Sequence, residues 1–154
     1  MPDLYQYDPL FLDLSNNPAV IPILQAVVGL DLQLTEMIAH NHPADTGSEL
    51  GNMPQMKKIT APAGTAVIWN VALWHTATAN TSPRDRRLIV YGYTHFWVKQ
   101  WEDRTPAREI VAWADTPQKR QLMGIHAVQG RAAWDRRDVA YLPEHQAIAD
   151  AKPF

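Results

Sequence analysis

The stretch from Gly64 to Trp97, GTAVIWNVALWHTATANTSPRDRRLIVYGYTHFW, constrains this chain more than any other. Ala66–Asn70 is a short apolar run of strand formers, His75 follows on a Leu-Trp shoulder, and Asn80–Arg84 gathers Asn, Ser and Pro into a turn. A second strand is expected from Arg86 or Arg87 to Trp97. The pattern predicts a β-hairpin-like unit with a histidine on one arm and an arginine at the start of the other. Taken alone, a histidine between apolar residues also reads as a satisfied core side chain, and Arg84, Arg86 and Arg87 as a solvated turn.

Upstream, Pro2 and Pro9 interrupt any regular pattern, and residues 1–16 are expected to lie over the surface. Asn17 and Pro18 read as an N-cap and first helical position, with Val20, Ile21, Leu24, Val27 and Val28 recurring at helical spacing up to Gly29. Leu30–His40 alternates as a strand, and Lys57–Ala61 reads as an edge strand. Beyond Trp97, Thr116-Pro117 reads as a cap and first turn before Arg120, Leu122 and Met123. Trp69, Tyr91 and Tyr93 are candidates to line an interior, although aromatic residues more often fill a core.

Composition narrows the classes. A chain of 154 residues is expected to be one domain, 1–154, and a net charge of -2 gives no electrostatic reason for a nucleic-acid or anionic-membrane partner. The absence of cysteine excludes disulfides, thiolate metal sites and a cysteine nucleophile. MPDLYQYDP lacks the basic start and apolar core of a signal peptide, and no apolar run approaches membrane-spanning length, so a cytoplasmic protein is expected.

Gly64-Thr65, Trp74-His75, Asn80-Thr81-Ser82 and Arg86, with ten residues between His75 and Arg86, together resemble the C-terminal half of the phytanoyl-CoA dioxygenase family. The likeness is strongest over 64–97 and extends loosely over 17–125, where Pro117, Arg120, Met123 and Gly124 fit the family's tail with Leu122 one place early. It implies a mainly β fold, a double-stranded β-helix of jelly-roll or cupin type, here truncated and flanked by helices. It also implies an iron(II)- and 2-oxoglutarate-dependent oxygenase that hydroxylates or otherwise oxidises a small organic substrate. His75 would be the second iron histidine, and Arg86 would pair with the distal carboxylate of 2-oxoglutarate. Those residue types suit such chemistry, because two histidines and a carboxylate leave open positions on iron(II), and a guanidinium matches a carboxylate's geometry while staying charged.

The sequence departs from the family at the first half of the site. No His-x-Asp or His-x-Glu triplet occurs. In its place stands His40-Asn41-His42-Pro43-Ala44-Asp45-Thr46-Gly47-Ser48-Glu49, soon followed by Met53. The expectation is an internal deletion of the middle strands. A His-x-His on a strand puts both rings on one face, with Asp45 close behind, while a stretch with Pro, Gly and Asp reads equally as an exposed loop. The expected iron set is therefore His75, His42 and Asp45, with His40 as second choice. The alternative is a degenerate, non-catalytic family member acting as a binding or accessory subunit. Deleted strands leave unpaired edges, so the chain is also expected to self-associate as a homo-oligomer.

Overall fold

Asp8 and Pro9 start a helix instead of preventing one. The computed structural model describes residues 4–30, 32–46, 54–95, 98, 107–125, 127–128 and 131–132. In it the Asp8 carboxylate accepts the Leu10 N–H at 2.8 Å, and α1 runs Leu10–Ser15 with Pro9 at its N-cap, where the missing N–H costs nothing. A 3-10 turn at Leu4–Gln6 precedes it. Leu4, Leu12 and Ser15 are fully buried, so this segment is part of the core and not a surface cover.

α2 spans Ile21–Val28, later than its expected start, because Asn17 closes a turn of its own by accepting the Ala19 N–H. Pro22 falls in the first helical turn, where it is tolerated, and Gly29 ends the helix at a φ of 119°. Ile21 and Leu24 face the core, whereas Val27 points to solvent.

β1 covers Leu32–His42 and β2 covers Arg86–His95, and the two pair as a two-stranded antiparallel sheet. Leu32, Gln33 and Leu34 are all buried, so the start of β1 is covered on both faces. α3 (Arg108–Trp113) and α4 (Pro117–Leu122) follow, the latter capped as expected by Thr116, whose hydroxyl accepts the Lys119 N–H. β3 (Ala127–Val128) and β4 (Arg131–Ala132) form a short antiparallel ladder.

The described residues thus form a small two-stranded sheet with flanking helices. The expected helices are there; of the expected mainly β double-stranded β-helix, the described residues hold a two-stranded sheet. Neither Lys57–Ala61 nor Ala66–Asn70 is a strand: a run of strand formers becomes one only when a neighbour takes its backbone groups, and among the described residues none does. Gly47, Ser48, Glu49, Met53, the Trp97 end of the expected second strand and 134–154 lie outside the described residues.

The chain divides into two compact units, one made of residues up to Ala39 and from Ile89 onward, the other His40–Leu88. The first holds the core: Leu4, Leu12, Ile21, Leu24, Leu32, Leu34, Met37, Ala114, Leu122, Met123 and Ile125. Polar contacts fix α1 within it. The Tyr91 and Tyr93 hydroxyls donate to the Phe11 and Ser15 carbonyls at 2.9 and 2.8 Å, the Trp113 indole donates to Asp13 at 2.8 Å, and the Gln118 amide donates to Asn16 at 3.1 Å. The second unit is built differently. Among its described residues Asn80 alone is buried, and no apolar side chain is.

Candidate functional site

The expected site residues all fall in the second unit, and Asn80 explains how that unit is held. Its amide nitrogen lies 2.9, 3.0 and 2.8 Å from the carbonyls of His42, Pro43 and Arg84, and its amide oxygen accepts the Ser82 hydroxyl at 2.8 Å. The Asn80 N–H donates to the Thr46 carbonyl at 2.9 Å, and the Asp45 N–H to the Ser82 carbonyl at 3.3 Å. Asp85 completes the clamp by accepting the Ala44 N–H at 3.1 Å and the Asn41 amide at 3.4 Å. The turn that leaves β1 is therefore joined to the turn that enters β2. The Asn-Thr-Ser-Pro cluster signals a turn in the sequence, but nothing in its spacing signals that the asparagine amide reaches back across 38 residues to His42.

This places two of the expected ligands. His42 ends β1, and its ring stacks with that of His40, centroids 6.3 Å apart and planes 18° from parallel, so the two histidines share a face as the alternation requires. Asp45 follows in the turn at a φ of 50°, a left-handed conformation that aspartate tolerates. Its side chain is exposed, and its contribution to the clamp is its backbone N–H.

Arg86 opens β2, half-buried, with Nη2 donating to the Thr78 carbonyl at 2.6 Å. That single bond orients the guanidinium. Arg84 and Arg87 are exposed, and Arg87 meets Asp85 at 3.8 Å across solvent, a pair worth little. The three arginines are therefore unlike in setting, and Arg86 is the one whose stem the structure fixes.

His75 is exposed, in the segment that leads to the clamp. Its Nδ1 lies 2.7 Å from the Leu73 carbonyl, and its ring lies 5.9 Å from that of Trp69. A carbonyl oxygen only accepts, so Nδ1 carries the hydrogen of this bond, and Nε2 is the ring nitrogen left to ligate when the ring is neutral. His75 is nevertheless not brought together with His42 and Asp45. Among the described residues no group of three or more His, Asp or Glu side chains is placed to hold a metal ion. Among the described residues the expected set of His75, His42 and Asp45 is thus not assembled around one point.

The aromatic residues take other duties. Tyr91 and Tyr93 stand on one face of β2, rings 6.4 Å apart, and cover α1 instead of lining a cleft. Burial pushes the Tyr91 phenol up to about 12 and raises that of Tyr93 further, with the neighbouring Tyr91 adding to the latter. A cavity of about 190 Å³ in the first unit is walled by Ile21, Leu32 and Leu122 and rimmed by the amides of Gln25, Gln118 and Gln121; none of the expected site residues lines it. Among the described residues no helix is long and apolar enough to cross a membrane.

Residues 33–88 match the family model of phytanoyl-CoA dioxygenase (PhyH). The match includes His42, Asp45, His75 and Arg86 and covers a little over a third of the chain. It is consistent with the resemblance drawn from Gly64–Trp97. No solved structure matches the chain.

Proposed function

We propose that this chain is a cytoplasmic relative of the iron(II)/2-oxoglutarate-dependent oxygenases that contributes the cosubstrate-binding half of a site for oxidising a small organic substrate. The observation that carries the reading is the pair His75 and Arg86, with ten residues between them, inside the segment that matches the family. Arg86 would receive the distal carboxylate of 2-oxoglutarate on the guanidinium N–H groups that Thr78 does not use, and the Thr78 bond would limit the entropy lost on binding. His75 would offer Nε2 to the metal. Iron(II), when bound, would supply the oxygen chemistry, and no step of it is assigned to the residues described.

A second reading rests on the separation of His75 from His42 and Asp45: a non-catalytic family member that serves as a binding or accessory subunit. An anaerobic iron(II) titration in the presence of 2-oxoglutarate separates the two by the visible charge-transfer band of the chelate. The oxygenase reading expects a band that His75→Ala abolishes and that His42→Ala and Asp45→Ala weaken. It also expects Arg86→Ala to weaken 2-oxoglutarate binding by roughly 2–5 kcal/mol, with little loss in Arg84→Ala. Absence of the band in the wild type, with 2-oxoglutarate still bound through Arg86, establishes the accessory reading. Equal losses in Arg84→Ala and Arg86→Ala overturn both.

A further inference from the structure

Asn41 decides which side chains of the two strands share a face. Its amide donates to the Asp85 carboxylate at 3.4 Å, so Asn41 on β1 and Asp85 just before β2 stand on one side of the sheet. The Asp85–Arg87 pair, two residues apart, fits the same alternation. Their neighbours, His40 and His42 on β1 and Arg86 on β2, therefore stand together on the other side. The near-parallel rings of His40 and His42 agree with that placement. β1 ends at His42 and β2 begins at Arg86, so the antiparallel ladder closes on these two residues. Side chains directly opposite in such a ladder have Cβ atoms ~4.5–5.5 Å apart.

Both strands are held where they meet. The Asn80 amide lies 2.9 Å from the His42 carbonyl and 2.8 Å from the Arg84 carbonyl, and Nη2 of Arg86 donates to the Thr78 carbonyl. The guanidinium N–H groups that Thr78 does not use and a ring N–H of His42 are then neighbouring donors. Two donors side by side match the two oxygens of one carboxylate. They suit a metal ion poorly, because the fixed positive charge of the guanidinium repels a second cation beside it.

We propose that His42 is a second anchor for the distal carboxylate of 2-oxoglutarate, donating a ring N–H to one oxygen while Arg86 donates to the other. His40, on the same face one step back along β1, flanks the anion. The inference rests on the reading of Arg86 as the cosubstrate anchor and adds two things to it. Selectivity falls on a diacid whose far carboxylate is shared between two side chains, and His42 leaves the metal set. A side chain that holds one end of 2-oxoglutarate is separated by the diacid's own carbon chain from a metal chelated at the other end.

Calorimetric titration of 2-oxoglutarate into the metal-free chain tests it. The clamp uses the His42 carbonyl and not its ring, so substitutions of the ring keep the turn. Binding is expected to weaken roughly 30-fold or more in Arg86→Ala and about tenfold in His42→Ala, the worth of one hydrogen bond to a charged group. His42→Gln, whose amide keeps a donor, is expected to bind within about threefold of wild type, and Arg84→Ala as wild type. Iron(II) affinity measured without cosubstrate is expected to be equal in wild type and His42→Ala. A loss in Arg86→Ala with none in His42→Ala overturns the inference and leaves the oxygenase reading standing, as does a His42→Gln variant no better than alanine. Iron(II) affinity that falls in His42→Ala returns the ring to the metal and also overturns the inference alone. Full binding in Arg86→Ala, or no binding to the wild type, overturns both.

Discussion

Removing the Asn80 side chain should release the turn after β1 from the turn before β2. Its amide meets three carbonyls with two hydrogens and accepts from Ser82, so Asn80→Ala deletes three to four hydrogen bonds around a residue that is 5% exposed. At a net ~1 kcal/mol per bond, and allowing for water reaching the carbonyls on the exposed side, the loss is about 2–3 kcal/mol. Because no apolar side chain is buried among this unit's described residues, the loss should appear as local opening more than as a shift of the global transition. Native-state hydrogen exchange at Ala44, Asp45 and Asn80, the amides that the clamp itself protects, should accelerate by about 30- to 140-fold, since ~1.4 kcal/mol is a factor of ten. Asn80→Asp should be worse than Asn80→Ala, because it points a carboxylate at three carbonyl oxygens. Unchanged protection in Asn80→Ala, or an aspartate variant no worse than alanine, would refute the reasoning.

Two further outcomes concern the first unit. Tyr91 and Tyr93 have folded-state pKa values above the ordinary 10.0, so the folded state holds their protons longer than the unfolded chain. Their stabilisation is complete below about pH 10 and is lost as pH rises toward about 12. Urea midpoints should fall across that window, and less steeply in Tyr93→Phe; a flat profile would contradict the assignment. Gly124→Ala should cost about 1–2 kcal/mol in the same assay, since Gly124 sits at a φ of 70° and an added Cβ would lie 3.2 Å from the buried Gln33 amide. Gly64→Ala, with a φ of 88° but open space around it, should show only the backbone part.

What the sequence made legible is what local rules decide. Thr116-Pro117 supplies its own cap, β1 and β2 are long enough in strand formers to be recognised, and both form. Lys57–Ala61 and Ala66–Asn70 have equally good composition but need partners that the pattern cannot supply. α1 was hidden because Pro9 looks like a breaker until Asp8 is seen to cap the helix from outside. In the candidate site, the shared face of His40 and His42 followed from alternation. The position of His75 depends on how far a long exposed segment reaches, which no local spacing encodes. Asn80 was visible as a turn residue, and its role as a clamp is a tertiary fact.

The fastening of α1 has a consequence for the order in which the molecule assembles. Its four polar anchors reach Tyr91, Tyr93, Trp113 and Gln118, between 78 and 102 residues further along the chain. Six residues are too few for a helix to persist in water unaided. At roughly 5–20 residues per second of synthesis, Leu12 and its neighbours wait on the order of 5–20 seconds before Trp113 and Gln118 exist to receive them. α1 is thus made before the residues that hold it and docks only after them. During that interval its apolar side chains are open to any chaperone that binds nascent chains.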